Sequence, residues 1–317
     1  MDPILERRVS VSARESHGFE LGRAFSSGRQ GVVYHAEHIK SRREAVVKIC
    51  YFSKDSKRAK FKVEVQNTLV LQHSRYVAKV IHHYEDEKYG VMYLKKYETD
   101  LLEYLMDHPF TVRTARKVFF RVCKGVLEAH QMGIAHRDLK PENVFLDSKG
   151  RPVVGDFGSS VRGEKGMRCD ECIGTELYCA PEVLRGERYD PFACDVFSLG
   201  IMLHVLVCGH WPYAGSSKAE VREHIKSGKL KMMESAFNRP SLHLIKAMTA
   251  YRSSERPTMA EVLAHEWFMG GLTDCHMVTP QASLEEPFPY ECPTHSSDDD
   301  SEEQNQDRTG YGRFGSV

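Results

Sequence analysis

Between Gly133 and Phe145 the chain reads GIAHRDLKPENVF, which gathers His136, Arg137, Asp138, Lys140, Glu142 and Asn143 around a proline. A carboxylate at Asp138 can take a proton from a hydroxyl. An ammonium at Lys140 can neutralise charge on a group in transfer, and the Asn143 amide oxygen is a hard ligand for a small divalent cation. The plainer alternative is a solvated loop. A second carboxylate, Asp156 in VVGDFGSS, follows two valines and precedes Phe157 and Gly158, which suits a divalent cation at a strand end; an ordinary turn reads the same way. Lys48 sits inside AVVKI, a strand-like run where an unpaired ammonium is costly, so it needs an anion. Glu64 on the helix that follows is the natural partner, unless Lys48 lies on an edge strand and snorkels into water. In FSSGRQGVVY, Gly28 and Gly31 precede Val32, Val33 and Tyr34, and glycine lets backbone N–H groups approach phosphate oxygens. A bulged hairpin fits that stretch equally well.

These residues need scaffolding, and the pattern supplies two kinds. From Phe19 to about Tyr97 it is strand-rich: QGVVYHAEH, EAVVKICYF and GVMYL are β-branched and aromatic. One helix interrupts, with Phe61, Val65 and Leu69 recurring every fourth residue and Glu64 on an adjacent face. After Leu101 the pattern turns helical. TARKVFFRVCKGVLEAHQMG ends at Gly133, a plausible helix stop, PFACDVFSLGIMLHVLVCG runs to Gly209, and TMAEVLAHEWF follows SSERP. Val196 to Cys208 is nearly all apolar, contains His204, is too short to cross a bilayer, and reads as a buried core helix.

The 317 residues suffice for one large core or two lobes sharing a cleft. Basic and acidic residues balance at 44 each, but from Gly271 onward ten acids face two arginines. The body is therefore mildly basic, which suits anionic ligands or simply a solvated surface. Residues 1–18 read as a flexible polar tail with Arg7, Arg8 and Arg14 and no signal peptide, and the acidic stretch after 270 has too little apolar matter to order itself. Nine cysteines without framework spacing point to reduced thiols in the cytoplasm or nucleus.

Glycine loop, strand lysine, helix glutamate, HRDLKPEN, DFG and Ala180–Pro181–Glu182 come in one order with suitable gaps, and this set resembles the eukaryotic protein kinase family, Ser/Thr type. The resemblance covers about residues 19–269. It implies an α+β, bilobal fold: a small β-rich lobe with one key helix (19–94), a hinge (95–98) and a larger helical lobe (99–269), flanked by the tails 1–18 and 270–317. It implies ATP and Mg²⁺ as cofactors and protein substrates with Ser or Thr acceptors, with no nucleic acid and no membrane; the oligomeric state is left open, with a monomer favoured. Ser26, Gly28, Gly31 and Val33 would cover the nucleotide, Ser26 standing where a glycine is usual. Lys48 would hold the α and β phosphates and pair with Glu64, Asp138 would deprotonate the acceptor, Lys140 would neutralise charge, and Asn143 and Asp156 would hold Mg²⁺. Leu94 would be the gatekeeper, Lys95 and Tyr97 would offer backbone groups to adenine, and Asp100 would reach the ribose. Arg256 would pair with Glu182, and Asp195 would start the buried helix and brace the catalytic loop. The lysine at 140 and GTELYCAPE resemble Ser/Thr enzymes, with Thr175 near Asp138; HEWF and the PEN loop resemble calmodulin-dependent-like members.

Several positions depart from that family's pattern. RGEKGMRCDECI, between Val161 and Gly174, contains no Ser, Thr or Tyr; Glu171 stands four before Thr175, where a phosphorylated residue is often found. We expect Glu171 to pair with Arg137 in place of a phosphate; a solvated acidic loop is the alternative. Cys169 and Cys172 form a CxxC, but no second pair has metal-site spacing, so coincidence is the reading. Thr68 replaces an apolar packing residue one turn after Glu64. Lys95 and Lys96 make a basic hinge, RRVS at Arg7 to Ser10 resembles a basophilic phosphorylation target, and Ser296, Ser297 and Ser301 lie among acids. A pseudokinase scaffold is the rival reading; its mark would be loss of Lys48, Asp138 or Asp156, and all three are present.

Overall fold

A computed structural model describes residues 17–28, 31–108, 110–164, 166–213, 215–232, 239–270 and 277–278. The β-branched runs at the N-terminal end form β1 (Phe19–Gly28), β2 (Gly31–His38), β3 (Glu44–Tyr51), β4 (Val80–Glu85) and β5 (Tyr89–Lys95), an antiparallel sheet in the order β1-β2-β3-β5-β4. Strand alternation gives the sheet two apolar faces. Ala45, Val47 and Ile49 pack with Phe19, Tyr34, Ala36, Tyr89, Val91 and Tyr93 on one side. Cys50, Met92 and the partly buried Leu94 face the other side, against Phe61 and Val65 of helix α1 (Asp55–Val70). Lys48 stands opposite Val33 on β2 and Met92 on β5, so the period of two sends it to the helix side.

The apolar stripe expected on α1 is only partly right. Phe61 and Val65 are buried, but Leu69 is 40% exposed, and the inward face is completed by Glu64, Asn67 and Thr68. At 100° per residue, 61, 64, 65 and 68 form one stripe; 69 falls off one edge of it, and 67 lies beyond the other edge, buried against Ser160.

Past the hinge come β6 (Thr99–Asp100), α2 (Leu101–Asp107), β7 (Phe110–Thr111) and α3 (Val112–Gln131). Helix α3 buries Val118, Phe119, Val122 and Val126; burying each such side chain fully contributes about 1.5–3 kcal/mol. The catalytic-loop stretch is framed by β8 (Ile134–Ala135) and β9 (Val144–Leu146), and β10 (Pro152–Val154) pairs with β9, placing Asp156 just beyond a strand end. Strand β11 (Val161–Arg162) pairs with β8, then α4 (Pro181–Leu184) leads into α5 (Pro191–Cys208). Helix α5 is apolar enough to pass for a membrane span, yet 83% of it lies inside the protein, so it is the core helix of the larger lobe. Its N-cap is Asp190, whose Oδ1 accepts from Phe192 and Ala193. Asp195 therefore does not start the helix; it lies more than a turn inside it.

Helices α6 (Lys218–Lys226), α7 (Arg239–Met248) and α8 (Met259–Ala264) complete the lobe. The single helix expected over TMAEVLAHEWF breaks at His265, which caps a separate 3-10 turn at Glu266–Met269. After Gly270, where no order is expected, Met277–Val278 forms β12 against β7. The two tails otherwise lie outside the described residues, as do Arg7 to Ser10 and Ser296, Ser297 and Ser301.

Candidate active site

Strand β3 delivers Lys48 into a 9%-exposed position, where an ammonium must be paired. Its Nζ donates to Glu64 Oε1 at 2.7 Å and to Asp156 Oδ1 at 3.0 Å. Burial works against the Lys48 charge, but Asp156 and Glu64 outweigh it and hold its pKa above the ordinary lysine value. Burial likewise opposes the Asp156 charge, and Lys48 overcomes it, leaving that carboxylate below its usual range. Two carboxylates thus share one ammonium across three elements: strand β3, helix α1 and the segment after β10.

The loop at His136 to Asn143 is held from beneath. Asp195, fully buried on α5, accepts from the His136 N–H at 2.7 Å, the Arg137 N–H at 2.8 Å and His130 Nε2 at 2.8 Å. The Asp138 N–H donates to His136 Nδ1 at 3.3 Å, so the proton on Nε2 goes to the Gly155 carbonyl at 2.8 Å. The same ring lies 4.8 Å from that of Phe157. Arg137 and Asp156 both adopt left-handed backbone, at φ of 66° and 52°. Such strain costs of order 1–3 kcal/mol and persists only where surroundings over-determine it.

Within this frame Asp138 Oδ1 accepts from Thr175, from its N–H at 2.9 Å and its hydroxyl at 2.8 Å. Gly174 makes that approach possible: at φ 110° a Cβ there would lie 2.6 Å from the Arg137 carbonyl oxygen. Asn143 Nδ2 donates to the Asp138 carbonyl at 2.8 Å and to Oδ2 at 3.3 Å. Its nitrogen end is therefore held by Asp138, and the end able to meet a cation is its oxygen. The Asn143 backbone carbonyl accepts from the Gly155 N–H at 2.8 Å, which joins the backbone of Asn143 to the residue preceding Asp156. An amide oxygen and a carboxylate suit a hard cation such as Mg²⁺. Lys140 lies near the same loop, its Nζ 3.9 Å from Glu142.

At the sheet's edge, Gly31 has φ 134°, and a Cβ there would sit 2.2 Å from the Ile49 carbonyl oxygen, so only glycine fits. Its neighbour across the turn is Gly28, with Ser26 paired to Val33 on the same two strands. Arg29 and Gln30 between them lie outside the described residues. At the hinge Leu94 is on the Lys48 side of β5, and the Lys95 N–H is taken by the Lys79 carbonyl at 2.9 Å. The Tyr97 hydroxyl accepts from the Lys79 N–H at 3.3 Å, and its ring stacks on Phe145 at 5.9 Å. Asp100 caps α2 through Oδ1, which accepts from the Glu103 N–H; burial pushes its pKa up.

Arg137 turns away from Asp138. Its Nε donates to the Ser159 carbonyl at 2.7 Å and its Nη1 to Glu171 Oε2 at 2.8 Å, while the Tyr189 hydroxyl donates to the Glu171 carbonyl at 2.8 Å. The Arg137 side chain is 7% exposed and that of Glu171 is 55% exposed. Cys169 is half-buried, bridged through its backbone to Tyr189, and burial raises its thiol pKa, which disfavours a reactive thiolate. Among the described residues no group of three or more His, Cys, Asp or Glu side chains gathers to hold a metal. Glu182 and Arg256 form a buried two-bond pair at 2.6 and 2.8 Å.

Three participants escape sequence reasoning: His130 under Asp195, Tyr189 behind Glu171, and Asn67, whose amide bonds Ser160 at 2.9 Å. His130 lies in a periodic helical stretch and Tyr189 in a loop, and neither carries a chemical signal of its own in the sequence. The signal for Asn67 was its polarity one turn after Glu64.

Residues 19–268 match the model of the family described as protein kinase domain. The chain is 28% identical over 256 residues to the probable serine/threonine-protein kinase MARK-C of Dictyostelium discoideum, covering 78% of this chain and 33% of that protein. It is 28% identical over 284 residues to the serine/threonine-protein kinase SIK3 homolog of Danio rerio, covering 86% of this chain and 24% of that one. The chain thus spans a third or less of the length of these relatives.

Proposed function

The chain belongs to the protein kinase family, and from that premise we propose that it transfers the γ-phosphate of ATP to Ser and Thr hydroxyls of proteins, without needing a phosphate on its own activation segment. Bound ATP supplies the phosphoryl group, and Mg²⁺ supplies positive charge for its oxygens. The chain's residues bind, orient and move one proton. Lys48, fixed by Glu64 and Asp156, presents its ammonium to phosphate oxygens, and the backbone around Gly28 and Gly31, with Ser26, covers them. Asp156 and the Asn143 amide oxygen would hold Mg²⁺. Val33 and Leu94 would flank the base, backbone groups of Lys95 and Tyr97 would meet its edge, and Asp100 would reach the ribose.

Asp138 accepts the proton of the acceptor hydroxyl, with Lys140 beside it to offset negative charge. Its Oδ1 is already oriented by two donors from Thr175, which supports a carboxylate held for that task. Loose phosphoryl transfer asks for alignment and positive charge more than for covalent help, and this arrangement provides both. The Arg137–Glu171 pair supports activity without phosphorylation, because a fixed carboxylate occupies the place where Arg137 would clamp a phosphate. Six of the described cysteines are free thiols and Cys172 is disulfide-bonded, so the cysteines do not fix the compartment.

The observation that carries this reading is the convergence of Lys48, Glu64 and Asp156, far apart in the chain, on shared hydrogen bonds. The test is transfer from labelled ATP to a mixed Ser/Thr peptide library by the wild type, Lys48→Met and Asp138→Asn. Each substitution is expected to lower the rate by about a hundred-fold or more. Unchanged transfer in either variant would contradict the role given to that residue, and a folded wild type with no transfer would favour the scaffold reading instead.

A further inference from the structure

Helix α1 turns two polar side chains, Asn67 and Thr68, toward the protein, and both are buried, at 2% and 5% exposure. Thr68 is satisfied within its own helix: Oγ1 donates to the Glu64 carbonyl at 2.7 Å. Asn67 reaches across to another element. Its Nδ2 donates to Ser160 Oγ at 2.9 Å, and Ser160 Oγ donates to the Phe157 carbonyl at 2.6 Å. Chemistry fixes these directions. A carbonyl only accepts, so the Ser160 proton points at Phe157, and the serine lone pair must take an N–H from Asn67. The amide, hydroxyl and carbonyl therefore form one relay from α1 to the residue next to Asp156.

Helix α1 is thus joined to the Asp156 segment twice. At Glu64 the join is ionic and passes through Lys48; nearly one turn later, at Asn67, it is neutral and direct. The ionic join is what a nucleotide's phosphates would draw upon. The neutral join uses none of the residues assigned to the nucleotide, is buried at both ends, and carries no charge that a phosphate elsewhere must balance. A buried hydrogen bond between two elements favours the arrangement in which both partners meet, because separating them leaves each polar group unsatisfied.

We propose that Asn67 is a positioning residue that, through Ser160, holds α1 in the position where Glu64 reaches Lys48. The proposal rests on the reading of Lys48 and Glu64 as nucleotide-positioning groups, and extends it to a residue outside that set. Without the relay, α1 spends less time inward, and nucleotide affinity falls by the fraction of competent molecules lost.

The test uses the full chain as wild type, Asn67→Leu, Ser160→Ala and the double variant. Leucine keeps about the same volume and removes the bond; Ser160→Ala is the gentler change should Asn67→Leu fold poorly. Three quantities are read: Mg·ATP affinity by calorimetry, amide exchange along α1 without nucleotide, and thermal midpoint. One buried neutral hydrogen bond is worth about 1 kcal/mol, so each single variant should speed α1 exchange by about five-fold and weaken Mg·ATP binding by up to about five-fold, as far as the competent fraction falls. The double variant should be no worse than the more severe single. Faster exchange confined to α1 distinguishes positioning from a merely structural role, which would speed exchange throughout and lower the midpoint. The proposal is overturned if α1 exchange in both singles stays within about two-fold of wild type, or if it rises only together with every other core amide. Should the wild type transfer no phosphate, the reading of function fails, and exchange along α1 still decides this one.

Discussion

Glu171 gives Arg137 one negative charge, whereas a phosphoryl group would give nearly two and three acceptor oxygens. Because the glutamate side chain is 55% exposed, its pair with Arg137 should be worth no more than about 1 kcal/mol. Glu171→Gln is therefore expected to lower kcat/KM by about two- to five-fold, measured with a peptide acceptor, while Asp170→Asn changes nothing. An unchanged rate in Glu171→Gln would mean that the loop carboxylate is only a solvated charge. Some of this was legible in the residues themselves. A lysine inside an apolar strand demands an anion, and the glutamate one helix later supplies it. The third partner, Asp156, was legible as a cation ligand but not as a partner of Lys48, since no local pattern brings residues 48 and 156 together.

Among the elements, α5 does two jobs: it is the core of the larger lobe and the brace of the catalytic loop through Asp195. Asp195→Ala would orphan the buried His136 N–H, at about 1–3 kcal/mol, and the partly buried Arg137 N–H, and release the loop that carries Asp138. Chemical denaturation should show that loss, with activity falling further than stability alone explains. Asp190→Ala, by contrast, removes only a helix cap and should cost about 1 kcal/mol with transfer intact. Sequence periodicity found this helix and its Gly209 stop, but it could not tell which of two aspartates caps it, because Asp190 and Asp195 both lie near Pro191. Helix α1 misled for a related reason. The apolar spacing of Phe61, Val65 and Leu69 suggested a plain stripe, while Glu64, Asn67 and Thr68 hold inward positions by hydrogen bonds that hydrophobicity does not register.

At the scale of the whole molecule, His204 ties stability to pH. Burial, with His210 nearby, lowers its pKa to about 4, from about 6.5 when unfolded. Between those values the unfolded chain binds a proton that the folded chain refuses, so stability rises with pH across this window and is lost as pH falls from about 6.5 toward 4. A shift of that size corresponds to about 3 kcal/mol at the acid end. His204→Asn, which can keep a donor for the His210 carbonyl, should flatten the acid limb of a melting-temperature profile and leave neutral pH nearly unchanged. The two-lobed architecture exists to bring β3, α1, the catalytic loop and the Asp156 segment to one place, and the larger lobe's buried Glu182–Arg256 pair helps fix it: Arg256→Leu should cost about 3–5 kcal/mol by leaving a buried carboxylate alone. The most direct test of the account is the initial rate of labelled phosphate transfer to a Ser/Thr peptide library by bacterially expressed, phosphatase-treated protein. Steady transfer that disappears in Asp138→Asn is the predicted result; folded protein that stays silent until an upstream kinase has modified it would contradict the account.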